Sequence, residues 1–139
     1  MKKELVLKDL EDTKQLAKQV AKLVNPGTVI LLYGDLGSGK TTLTKFIAKE
    51  LGEKPENVSS PTFSIIHEYN TTPPLAHVDL YRLGQNADVF ELGLYEYIDR
   101  GFFIIIEWAE YISEKDFDNV IKISLKILSN EERMATLEY

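Results

Sequence analysis
The sequence predicts an α/β domain in three layers, with helices covering a mixed parallel and antiparallel sheet, and three stretches carry that expectation. Val29, Ile30, Leu31 and Leu32 form an uninterrupted apolar run, too short for a helix and β-branched at its start. Such a run fits a strand buried on both faces, the pattern of a parallel sheet. Phe102 to Ile106 repeats it. Val120 to Leu128 alternates instead, with Ile121, Ile123, Leu125 and Ile127 separated by polar residues, as a strand with one wet face does.

The other elements follow in chain order. Between Thr13 and Val24 the apolar residues Leu16, Ala17, Val20, Ala21, Leu23 and Val24 keep helical spacing, and Lys14, Lys18 and Lys22 form a solvated stripe on the other face. Asn25, Pro26 and Gly27 stop that helix. Thr41 to Leu51 is helical again through Leu43, Phe46, Ile47 and Leu51, and Gly52 suits its C-cap. Phe63 to Tyr69 and Leu75 to Leu83 are strand-like around the turn-forming Asn70 to Pro74, which predicts an antiparallel hairpin. Asp88 to Ile98 turns helical and Gly101 ends it. A turn at Ser129, Asn130 and Glu131 and a short strand to Tyr139 complete a second hairpin. At 139 residues the chain fits one domain, 1–139.

Composition removes several function classes. Lysine and arginine number 16 against 22 aspartates and glutamates, a net charge of −6. An acidic surface does not attract nucleic acid unaided, because phosphate contacts need clustered positive charge. The absence of cysteine excludes a disulfide scaffold, a thiolate zinc site and a cysteine nucleophile. His67 and His77 are too few for a multi-histidine metal cage. The start of the chain has no signal-like apolar run, and no stretch approaches the ~18 apolar residues that span a bilayer, so a cytoplasmic protein without membrane contact is expected.

The chemistry concentrates after the first buried strand. Gly34 to Thr41 reads G-D-L-G-S-G-K-T and fits G-x-x-x-x-G-K-[ST], with the strand before it and the helix after it that this motif requires. The fold expected is that of a P-loop NTPase. Backbone N–H groups of Gly37, Ser38, Gly39, Lys40, Thr41 and Thr42 can wrap a polyphosphate at the helix N-terminus. Lys40 would reach the β- and γ-phosphates, and the Thr41 hydroxyl would ligate Mg²⁺. Glu107 follows the strand Phe102 to Ile106, so in a parallel sheet it stands at the edge that carries the loop. Asp79 shares a strand face with His77 and Tyr81; that face is either wet or functional, and packing is the simpler role for His77. Ser59 to Thr62 fits a structural turn or a loop that senses the γ-phosphate. Trp108 fits a rim aromatic or a buried one.

Taken in order, Gly34 to Thr41, Ser60-Pro61-Thr62-Phe63, His77-Val78-Asp79-Leu80-Tyr81-Arg82, Glu91-Leu92-Gly93-Leu94 and Glu107-Trp108 resemble the TsaE family, the bacterial ATPases of tRNA threonylcarbamoyladenosine (t6A) biosynthesis. The resemblance runs from Thr13 to Arg133. It implies ATP and Mg²⁺ as ligands, Thr41 and Glu107 as metal ligands, and Asp79 as a carboxylate needed for hydrolysis. It further implies Trp108, Thr13 and Arg133 near the nucleotide, and TsaD and TsaB as protein partners, with tRNA reached only through them. Ser38 departs from the alanine that many relatives carry. The implied activity is a slow ATPase that partners stimulate and that supports multiple turnover of the TsaB–TsaD complex, with either Asp79 or Glu107 orienting the water. A small-molecule kinase is the first alternative, though Arg82, Arg100 and Arg133 are too scattered for an arginine-rich lid. A nucleotide-dependent assembly module that does not hydrolyse is the second.

Overall fold
The computed structural model describes residues 1–139 as seven strands and three helices, joined by turns and short 3-10 segments. In chain order these are β1 (Lys2–Leu7), α1 (Leu10–Ala21), β2 (Val29–Tyr33), α2 (Lys40–Glu50), β3 (Ile66–Tyr69), β4 (Leu75–Asp79), α3 (Leu94–Asp99), β5 (Phe103–Glu107), β6 (Val120–Ile127) and β7 (Arg133–Glu138). The strands form one sheet in the order β1-β7-β6-β2-β5-β4-β3. Its four inner strands, β6, β2, β5 and β4, run parallel. The outer pairs β3–β4, β6–β7 and β7–β1 are antiparallel.

Strand alternation divides the buried core between the two faces of the sheet. Ile30 and Leu32 of β2 join Leu16 and Val20 of α1 and Leu43 and Ile47 of α2 on one face. Val29 and Leu31 join Leu94 of α3 with Phe102 and Phe117 on the other. Each fully buried aliphatic side chain contributes roughly 1.5–3 kcal/mol relative to exposure, which is why uninterrupted apolar runs locate the central strands. The expected α/β architecture with three layers and a mixed sheet is what the chain adopts.

β3 starts at Ile66 where the pattern begins at Phe63, and β4 stops at Asp79 where the pattern runs to Leu83; three further differences each have a local reason. The segment before α1 is strand β1, which is mostly exposed and pairs only with β7, so it has no apolar periodicity to announce it. α1 starts earlier than Thr13 because Asp9 caps it, accepting from the Asp12 N–H at 3.0 Å. The helix expected from Asp88 shrinks to α3. The Asp88 carboxylate takes the N–H groups of Phe90 and Glu91 at 2.8 and 3.1 Å, holding a turn there.

The topology gathers one edge. The parallel strands end together at Tyr33, Asp79, Glu107 and Ile127. β7 runs back from that edge, so its first residue, Arg133, pairs with Ile127 there. β1 ends at the same edge with Leu7 opposite Arg133 and delivers Asp9 and the first turn of α1 beside it.

Candidate functional site
The chain leaves β2 at Tyr33, crosses Gly34 to Gly39 and enters α2 at Lys40. A Cβ on Gly34 would stand 2.5 Å from Ser38 Oγ and 2.7 Å from the Leu125 carbonyl oxygen, so only glycine lets the loop close against β6. Gly39, at φ 103°, turns the chain into the helix in a conformation that side chains resist. α2 has no side-chain N-cap, and the N–H groups of Lys40, Thr41 and Thr42 find no acceptor in the protein. Ser38 Oγ, also buried in the loop, has no hydrogen-bond partner either. Gly37, Ser38, Gly39 and Thr42 line one cleft, and unpaired N–H groups at a helix N-terminus are an arrangement suited to an anion.

Lys40 is 5% exposed. Its ammonium donates to the Gly34 carbonyl and lies 3.7 Å from the centre of the Trp108 ring. Burial pushes its pKa down, while the charges of Glu107, Glu110, Asp79 and Asp35 pull it back up. The result is a partly dehydrated cation at the mouth of the loop.

Glu107, at the end of β5, is 3% exposed. The Thr41 hydroxyl lies 3.2 Å from each of its carboxylate oxygens, and His77 Nε2 lies 2.5 Å from Oε2. Asp79 pairs in register with Glu107 on the neighbouring strand and is equally buried. Its Oδ2 accepts from Thr62 Oγ1 at 2.9 Å and Ser60 Oγ at 3.3 Å, and its Oδ1 accepts from the Tyr81 N–H at 2.9 Å. The face of β4 carrying His77 and Asp79 is thus buried, not wet. Trp108, half-buried with φ 60°, contacts Lys40 and the ring of Tyr81.

Arg133 reaches the loop from β7. Its Nε and Nη2 donate to the carbonyls of Ser38 and Gly37 at 3.2 and 3.3 Å, and its Nη1 donates to Ser129 O at 2.9 Å. With Thr13, Gly37, Ser38, Gly39 and Thr42 it lines an open cleft of about 660 Å³. Thr13 and Arg133 therefore stand on the β6–β7 side of the loop and Trp108 on the β5 side. A second cleft of about 680 Å³ lies at the far end of the sheet between the termini and Lys122, remote from these groups. The loop, Asp79, Glu107, Trp108, Thr13 and Arg133, separated in sequence, meet at one edge. His77, for which packing is the simpler role by sequence, is brought into the site by its contact with Glu107. Its spacing of two from Asp79 on a strand beside the one ending in Glu107 was the available signal.

A family model described as "Threonylcarbamoyl adenosine biosynthesis protein TsaE" matches residues 7–135. The chain belongs to the TsaE family. Similar proteins named "tRNA threonylcarbamoyladenosine biosynthesis protein TsaE" include one from Bacillus subtilis, 42% identical over 127 residues, covering 91% of this chain and 78% of that one. One from Rickettsia felis is 37% identical over 134 residues, covering 96% and 78%. A crystal structure of YdiB from Bacillus subtilis has the same fold, with a TM-score of 0.76 at 35% identity over 99% of this chain and 84% of that one. All the site residues of this TsaE chain, from Thr13 to Arg133, fall inside the matched span. None of its helices is long and apolar enough to cross a membrane.

Proposed function
We propose that this TsaE-family chain binds and hydrolyses ATP, and that it thereby supports repeated turnover of a TsaB–TsaD complex in cytoplasmic t6A biosynthesis. The observation that carries the reading is the meeting of unpaired α2 N–H groups, the Lys40 ammonium and the Thr41–Glu107 pair at the carboxyl edge of a parallel sheet. That edge is where ligands of open α/β sheets bind.

The loop amides and Lys40 would hold the β- and γ-phosphates of the substrate, and the cleft lined by Thr13 and Arg133 offers room for the rest of the nucleotide. The metal fit is favourable. Thr41 and Glu107 present hard oxygen donors, and no group of three or more His, Cys, Asp or Glu side chains gathers in the chain. An ion held by two protein oxygens would complete its shell with phosphate oxygens and water, as Mg²⁺ does. Bound there with ATP, Mg²⁺ would neutralise charge on the β- and γ-oxygens. Water attacks the γ-phosphorus in line, the bond to the β–γ bridging oxygen breaks, and ADP and phosphate leave. Lys40 and the loop amides stabilise the charge that moves to the leaving oxygen.

The carboxylate that orients the water is Asp79 or Glu107. Asp79 is 2% exposed, with Ser60, Thr62 and Tyr81 packed against its oxygens, so a water reaches it only if the segment around Ser60 and Thr62 shifts. That latch is a physical reason for slow hydrolysis by the isolated chain and for stimulation by a partner that moves the segment. The test is steady-state ATP hydrolysis with Mg²⁺, alone and with TsaB and TsaD, beside a Lys40→Ala control. Slow turnover that rises with partners and vanishes in the control is expected. Turnover indifferent to partners, or phosphate transfer to a metabolite, would overturn the proposal.

A further inference from the structure
His77 has no part in the chemistry just described, yet it is fully buried at the centre of the site. Its neighbours on β4, Ala76 and Val78, are apolar, and an apolar residue would fill its place without the cost of burying an imidazole. The ring makes one polar contact, from Nε2 to Glu107 Oε2 at 2.5 Å. An ionised carboxylate only accepts, so Nε2 carries the hydrogen and donates it. Nδ1 is buried without a partner. As a bare acceptor it is the cheaper orphan, because unpaired buried N–H groups are the rarer kind.

The contacts of Glu107 show what this bond does. The Thr41 hydroxyl is equidistant from Oε1 and Oε2, so its single hydrogen does not select a rotation of the carboxylate. His77 grips Oε2 alone. It does so from β4, which is paired in register with β5, so the bond ties together two strands of the rigid centre of the sheet.

We propose that His77 is a positioning residue for Glu107, holding the carboxylate by Oε2 so that Oε1 is left to the divalent ion that accompanies the nucleotide. The inference rests on the assignment of Thr41 and Glu107 as metal ligands made under Proposed function. Partners of this outer kind change metal affinity by about 10–100-fold when removed.

The test measures binding of a non-hydrolysable ATP analogue by calorimetry, in EDTA and across a Mg²⁺ series, for wild type, His77→Met and His77→Gln. Methionine fills the space without a donor, and glutamine restores an N–H at similar reach. His77→Met should need roughly ten-fold more Mg²⁺ for the same gain in affinity, with affinity in EDTA unchanged, and His77→Gln should stay within about three-fold of wild type. Equal Mg²⁺ dependence in wild type and His77→Met, or a ten-fold loss in a folded His77→Gln, overturns the inference. Should His77→Met fail to fold, the imidazole tautomer and its response to Glu107→Gln decide instead. Nitrogen NMR of the imidazole gives a readout without metal or nucleotide: an Nε2–H tautomer whose resonance moves in Glu107→Gln is expected, and an Nδ1–H tautomer contradicts the proposal. Wild type that binds no nucleotide would instead sink the functional reading itself.

Discussion

Lys40 holds a charge in a place that strips its water. Its folded pKa lies below the usual 10.5 because burial outweighs the four nearby carboxylates. The unfolded chain therefore binds that proton more tightly, and the penalty is fully present below the folded pKa and relieved as pH rises toward 10.5. A Lys40→Met variant should lose ATP hydrolysis, and the stability of wild type relative to it should rise between pH 7 and pH 10. Urea midpoints at both values check the sign, and a difference that does not move with pH would remove the argument. Asp79 offers the converse case, a buried carboxylate with its partners in place. Thr62→Val deletes its 2.9 Å donor and should cost about 1–3 kcal/mol. Ser60→Ala removes a contact of 3.3 Å and should cost less; the reverse order in denaturant midpoints would show that the serine is the principal donor.

At the scale of elements, legibility followed burial. β2 and β5 were visible because Val29 to Leu32 and Phe103 to Ile106 are buried on both faces, and α2 because Leu43 and Ile47 face the sheet. β1 was invisible because among its residues only Leu7 is buried, and one-sided pairing leaves Lys2, Lys3 and Glu4 in water. α3 was overextended because apolar spacing from Val89 onward looks helical, while the Asp88 turn that interrupts it acts through side-chain hydrogen bonds that periodicity does not register. At the site, the loop was legible from its glycines and Glu107 from its place after a buried run. The Asp79–Thr62 and His77–Glu107 contacts were not, because each joins residues at least 17 positions apart. Gly34 in the loop and Gly52 beyond the far end of α2 also separate by mechanism. Gly34→Ala forces a Cβ against the Leu125 carbonyl, a backbone atom that cannot swing away, and should cost about 1–3 kcal/mol and impair ATP binding. Gly52→Ala meets open space and carries only the strain of φ 113°. Parallel thermal melts and nucleotide titrations test the pair; equal losses of binding would mean that strain, not the approach to β6, governs Gly34.

The whole molecule has a net charge of −6 and proposes to hold a polyphosphate, so attraction has to be local. The sheet arranges this by bringing chain ends back to the edge where the parallel strands finish. Because β7 reverses direction at that edge, Arg133 spans two loop carbonyls, Gly37 O and Ser38 O, and because β1 ends beside it, the start of α1 lines one wall of the cleft. Arg133 thus acts on the shape of the loop through a planar fork, and its charge alone would not reproduce that. Arg133→Lys should weaken binding of the ATP analogue by several-fold, nearly as far as Arg133→Ala, while the melting temperature changes little. If charge were the main contribution, lysine would retain wild-type affinity at low salt and lose it as salt is raised, since a single ammonium is screened over about 10 Å at 0.1 M. Titration of both variants at two ionic strengths separates these cases, and salt-sensitive rescue by lysine would reduce the antiparallel edge to a carrier of charge.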